Sequence, residues 1–150
     1  MRAKQIHEEG GQKTFALVLD TGDEVVSELT NFAKDNGLDA SSLTAIGAFS
    51  GAKLGYFDME RKEYKEIPVE EQVEVLSLVG DIAPKDDGEP QVHAHVVVGR
   101  FDGTTRGGHL LEAHVRPTLE VIVTESPEHL QRTTDEETGL ALIAIEGEVR

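Results

Sequence analysis

The sequence holds no cysteine. That absence excludes disulfide frameworks, thiolate nucleophiles and cysteine-based zinc ribbons, so any bound metal has to rest on histidine, aspartate or glutamate. Long apolar runs are also missing. None approaches the ~20 residues that a membrane-spanning helix needs. The opening segment Met1-Arg2-Ala3-Lys4-Gln5-Ile6-His7 is polar, without the apolar stretch of a secretion signal behind it. The expectation is a soluble cytoplasmic protein with no membrane partner. Basic residues are scarce: 14 Lys and Arg stand against 29 Asp and Glu, for a formal charge of −15 at pH 7. A field of that sign repels phosphate backbones, so direct DNA binding is not expected of the chain alone. The same acidity keeps a protein soluble.

Common catalytic signatures are lacking too. No Ser/His/Asp spacing stands out. Gly47, Gly51 and Gly55 surround Ala48-Phe49-Ser50, but no Lys-Ser/Thr and no helix follow, so this is not a phosphate-cradling loop. Those glycines read as tight turns or close backbone approach.

What remains is strand-rich. With 150 residues the chain reads as one domain, 1–150, with its core at about 14–146. Residues 1–13 form a polar lead-in or edge strand, and Thr14 to Leu19 reads as a strand. A helix follows, with Thr21 as N-cap and Glu24 completing a capping box. Val25, Val26, Leu29, Phe32 and Ala33 make its apolar stripe, and Asn36-Gly37 its stop. Further strands are expected over 42–49, 52–58, 64–69, 73–79, 92–100, 108–115, 119–124 and 140–145. The last two are nearly unbroken apolar runs, which suggests burial on both faces. Asp81 to Gln91 and Thr133 to Gly139 read as loops. Ser126-Pro127 can open a short C-terminal helix. The fold class is therefore α+β, a central, mostly antiparallel sheet with one main helix. One helix covers one sheet face only, so a second copy of the chain is the expected cover for the other.

The chemistry concentrates in one segment. His93 and His95 lie two apart on a strand and share a face, while Val92, Ala94, Val96 and Val98 take the other. Asp102-Gly103 signals a hairpin that brings His109 back toward them. A two-residue loop would pair His95 with Leu110 and turn His109 away. A three-residue loop, or a bulge at Gly107-Gly108, would pair His95 with His109. Three convergent imidazoles make a site for zinc or another divalent transition metal, with a coordination position left open. The same spacing also suits ordinary histidines on a half-exposed sheet face. Glu112 is the nearest candidate general base, or else an orienting carboxylate. His7, His114 and His129 have no partner spacing. Arg116-Pro117 reads as an anion contact or an intersubunit ion pair, and Tyr56, Phe57 and Tyr64 as core or interface aromatics. A cupin-type oxygenase also uses His-x-His, but its Glu is missing, since Val96 to Arg100 follow the pair.

Gly47-Ala48-Phe49-Ser50-Gly51-Ala52-Lys53-Leu54-Gly55-Tyr56-Phe57-Asp58, Val75 to Ile82, His93-Ala94-His95 and Gly107-Gly108-His109-Leu110-Leu111-Glu112-Ala113 together resemble the PPC domain, the plants and prokaryotes conserved domain. The likeness runs from about Thr14 to Thr124. It implies an α+β fold, a homotrimer, and metal ligation at His93, His95 and His109 as in stand-alone prokaryotic members. The family also carries a DNA-binding description, linked in plants to AT-hooks. No Arg-Gly-Arg-Pro hook exists here, and a trimer would carry −45, three times the −15 of one chain. Two functions follow as expectations. One is a metal site acting on, or sensing, a small molecule, with hydrolase or lyase chemistry open to it. The other is a regulatory interaction module that meets DNA, if at all, through a protein partner.

Overall fold

The computed structural model describes residues 1–145. The expected core boundary at Glu146 and the remainder to 150 lie outside the described residues. Strands β1 (Arg2–Glu9), β2 (Gln12–Asp20), β3 (Ser41–Asp58), β4 (Glu63–Val69), β5 (Val73–Pro84), β6 (Pro90–Gly99) and β7 (Thr105–Glu125) form one sheet in the order β1-β2-β7-β6-β5-β3-β4. Every pairing is antiparallel. β7 pairs with β3 as well, so β7, β6, β5 and β3 close into a ring. A separate two-stranded sheet, β8 (Gln131–Thr134) with β9 (Ala141–Ala144), follows.

Helix α1 (Val25–Asn36) buries Val25, Leu29, Phe32 and Ala33, the stripe read from the sequence. Phe32 meets Phe15 of β2 edge to face, with ring centroids 5.3 Å apart. Gly37 ends the helix in the left-handed conformation, and the Leu38 amide donates to the Ala33 carbonyl at 3.0 Å. The start differs from the expected capping box. Glu24 is itself the N-cap, and its carboxylate accepts from the amides of Val26 and Ser27. The reason is tertiary: Gly22 donates to the Val115 carbonyl, Val115 donates to the Asp23 carbonyl, and Glu24 bridges to His114. That pairing with β7 holds Glu24 extended, so the helix starts at Val25 rather than directly after Thr21.

Other expectations also shift. The segments expected at 42–49 and 52–58 are one strand, β3, bulged opposite β7 rather than broken at Ser50-Gly51. Likewise 108–115 and 119–124 are both β7, which continues through the cis Arg116-Pro117 bond. No helix follows Ser126-Pro127. There the Ser126 amide donates to the Ala40 carbonyl and the chain goes on into β8. The apolar run at 140–145 is a strand over 141–144, but it is not buried on both faces. Leu142 and Ile143 are exposed, because among the described residues β9 pairs only with β8. No helix among the described residues is long and apolar enough to cross a membrane.

Candidate metal centre

β6 alternates as its sequence demands. Ala94, Val96 and Val98 are buried, while His93, His95 and Val97 face outward, with Val92 only half-buried. The turn into β7 sets what stands beside His95. Arg100 donates to the Thr104 carbonyl at 2.8 Å, and three residues, Phe101, Asp102 and Gly103, lie between that pair. Gly103 takes φ +80, a conformation that costs glycine little. The Asp102 carboxylate accepts from the Thr104 amide and hydroxyl at 3.0 and 2.6 Å, which ties the turn down. The odd-length loop pairs His95 with His109, followed without a slip by Val96 with Gly108 and Val97 with Gly107.

No bulge therefore sits at Gly107-Gly108 between β6 and β7. These glycines allow close approach instead. A Cβ on Gly108 would come within 2.8 Å of the Gly55 carbonyl oxygen, and one on Gly107 within 3.2 Å of that of Val96.

The three imidazoles converge. Their ring centroids lie 5.2 Å apart for His93 and His95, 5.1 Å for His93 and His109, and 5.3 Å for His95 and His109. One nitrogen from each falls within 4.8 Å of the others, a spacing that could hold a metal ion. Burial, then the His93, His95 and Arg132 charges, pushes His109 down to about 4. For His93, burial and the Arg132 charge lower the pKa, Asp81 partly offsets them, and His95 adds to the fall. Both rings are thus neutral at physiological pH, the form that ligates a metal. His109 Nδ1 is buried and has no hydrogen-bond partner among the described residues. A buried polar nitrogen without a partner is costly, and an ion between the rings or on that nitrogen would offset it. A donor set of three imidazole nitrogens suits zinc or another divalent transition metal.

Three neighbours complete the surroundings, and none was assigned to the site from sequence. Tyr64 of β4 stacks on His109, with centroids 4.6 Å apart and planes 23° apart, and is itself edge to face with Phe57. Asp81 of β5 is the register partner of His93 and places Oδ2 3.8 Å from its Nδ1. Arg132 of β8 is 2% exposed, ion-pairs with Asp81, and brings a guanidinium nitrogen to 3.4 Å from His93 Nδ1. The alternation of β5 could have flagged Asp81. Nothing in a polar segment flagged Arg132.

Glu112 stands apart from this group. Its carboxylate lies 3.5 Å from Lys53 Nζ and 3.3 Å from His114 Nε2. His7 is exposed, and His129 meets Asp39 at 2.8 Å on the surface. Arg116 is exposed on β7.

The chain is similar to several known proteins. A plant- and prokaryote-conserved (PPC) protein from Pyrococcus horikoshii superposes with TM-score 0.83 at 34% identity, covering 98% of this chain and 97% of that one. A metal-containing protein from Archaeoglobus fulgidus is 39% identical with TM-score 0.82, covering 95% of this chain and all of that one. The bifunctional protein GlmU of Synechococcus sp. (strain JA-3-3Ab) is 32% identical over 140 residues, which are 91% of this chain. The chain spans only 21% of that protein's length. Residues 6–127 match the Plants and Prokaryotes Conserved (PCC) domain, and with the ring-closed antiparallel sheet and its three-histidine face already described, the chain belongs to that family.

Proposed function

We propose that the protein is a homotrimeric metalloprotein that holds zinc through His93, His95 and His109 and acts on, or senses, a small ligand there. One observation carries the reading. Three imidazoles from two adjacent strands converge, and a buried nitrogen of His109 has no other partner. The name of the metal-containing Archaeoglobus relative agrees with it. Bound at these rings, zinc would supply Lewis-acid polarisation of a ligand oxygen. Three protein donors leave it a coordination position for that ligand. The chain's own part is orientation. The β6–β7 register fixes His95 against His109, and Tyr64 covers one face of the His109 ring.

The trimer rests on the outer sheet face. Ile46, Leu76, Val79 and Ile122 are exposed there, although each is large and apolar. Val79 is the register partner of His95, so this apolar surface runs up to the histidines. A second copy seated on it would remove that surface from water. The cytoplasm is the compartment proposed. DNA is not proposed as a direct partner, because a charge of −15 opposes it. Any regulatory role would run through a protein partner or the small ligand.

Elemental analysis of protein purified without a histidine tag tests the centre. About one zinc per chain is expected, falling to near zero in His95→Ala. Wild-type protein that stays metal-free after zinc loading overturns the reading. Sedimentation equilibrium tests the trimer, and a gel shift at physiological salt tests DNA. A monomer sinks the first, and submicromolar binding by the chain alone sinks the charge argument.

A further inference from the structure

We propose that Asp81 and Arg132 are positioning residues of the three-histidine centre, with Arg132 tying the β8–β9 hairpin to His93 through Asp81. This rests on the metal reading above.

Apart from Arg132, the side chain of β8 that reaches beyond the hairpin among the described residues is exposed Thr134, whose hydroxyl donates to Asp86 Oδ2 at 3.4 Å. Among the described residues, β8 and β9 pair only with each other. Along β8, Gln131, Thr133 and Thr134 are exposed, and Arg132 alone is buried. Its guanidinium donates to the Ala141 carbonyl of β9 at 2.9 Å, ion-pairs with Asp81 of β5, and reaches His93 Nδ1 of β6 at 3.4 Å. One side chain thus touches both hairpin strands, the sheet and a candidate ligand.

A buried guanidinium is a poor choice if holding the hairpin down is its whole task. Its desolvation offsets much of the attraction of the pair, and an apolar residue of similar size stabilises as well or better. What an ion pair adds is direction. Nδ1 is the His93 nitrogen that faces the pair, which leaves Nε2 as the nitrogen free to ligate. A ligating histidine commonly donates its other N–H to a carboxylate, which fixes the tautomer and the ring plane. Asp81 Oδ2 lies 3.8 Å from Nδ1, longer than a hydrogen bond, and is the carboxylate beside it that would take up that bond once zinc sets the ring, while Arg132 holds the other Asp81 oxygen. Loss of Arg132 would free both the carboxylate and the hairpin.

The test uses full-length protein, zinc titration against a chromophoric chelator, the visible spectrum of the cobalt(II)-substituted site, and hydrogen exchange of hairpin amides. Arg132→Met and Asp81→Asn are each expected to weaken zinc binding ~10-fold or more at unchanged stoichiometry, the range for partners that orient a ligand. The double variant should be no weaker than the weaker single one, because both act along one line of contact. The cobalt spectrum should shift in each. Arg132→Lys should recover part of the affinity. Hairpin amides should exchange faster in Arg132→Met, and more slowly in wild type once zinc is bound. Wild-type affinity and an unshifted cobalt spectrum in Arg132→Met overturn the proposal, as do fully additive losses in the double variant. Should Arg132→Met fail to fold, Asp81→Asn and Arg132→Lys carry the same test. Wild-type protein that binds no zinc removes the metal reading and this proposal together. Zinc binding indifferent to Arg132 and Asp81 removes this proposal alone.

Discussion

Two hairpins approach the histidine cluster, and they are built in opposite ways. β6–β7 is woven into the sheet, with β5 on one side of it and β2 and β3 on the other. Its position is set by ladder hydrogen bonds and by buried Val96, Val98 and Leu110. β8–β9 lies outside the sheet, with a single buried charge as its anchor. The first delivers all three histidines, His93 and His95 on β6 and His109 on β7, with the precision of a packed core. The second delivers an adjustable contact. Elements held by few buried apolar contacts are those that open first, so the two sides of the cluster should differ in dynamics as well as in chemistry.

Substitutions can break this contrast, and the largest effect belongs to the woven hairpin. His109→Ala should take zinc from about one per chain to near zero by elemental analysis, because two donors hold the ion far more weakly than three. A variant that keeps full stoichiometry would move the site elsewhere. Next comes packing. Gly108→Ala places a Cβ 2.8 Å from a backbone oxygen of β3 and should cost about 2–3 kcal/mol in denaturant unfolding. Gly139→Ala, in the β8–β9 turn at φ +76 with open space around it, should cost about 1 kcal/mol and leave zinc affinity alone. Equal costs would erase the distinction.

Glu24→Ala should fall between those two, at about 1–2 kcal/mol by thermal or denaturant unfolding, since it removes a helix cap. Its carboxylate also accepts from the Ala113 amide of β7, so the loss loosens the strand that carries His109. Burial raises the Glu24 pKa, but hydrogen bonds from Ser27, Ala113 and Val26 outweigh it and leave the value lowered.

The contrast also has a pH side, read in the zinc-free protein. His109 titrates at about 4 when folded and near 6.5 when unfolded, so between those values the unfolded chain binds more protons. Stability from this ring is fully present above pH 6.5 and is lost as pH falls toward 4. Melting temperatures across that window should show a drop that His109→Gln reduces. An unchanged profile in the variant would show that the ring is not held neutral by its surroundings.

Much of the woven side was legible in the sequence, because its periods are local. The two-residue alternation of β6 separates Val96 and Val98 from His93 and His95, and an odd loop length is all that brings in His109. The helix stripe is equally local. What escaped depends on partners distant in the chain. Glu24 caps the helix because β7 pairs with the residues before it, which no capping pattern can reveal. The run Leu140 to Ile145 looks buried by composition, but among the described residues β9 has one partner and leaves Leu142 and Ile143 in solvent. Arg132 sits among polar residues, and nothing within its segment says that it turns inward. The cluster's histidines could be found by reading along the chain. Asp81, Arg132 and Tyr64, its supports, emerge only when β4, β5 and β8 are brought together.

The connection from Arg100 to Thr104 has a final consequence. In an antiparallel pair, directly opposite residues share a face whatever the length of the loop between them. Residues added between Phe101 and Gly103 would therefore lengthen the loop and still leave His109 opposite His95. One residue added within Arg106-Gly107-Gly108 would instead put Gly108 opposite His95 and turn the His109 imidazole to the other face. Across relatives, length should therefore vary in the loop and not in that tripeptide wherever all three histidines are kept.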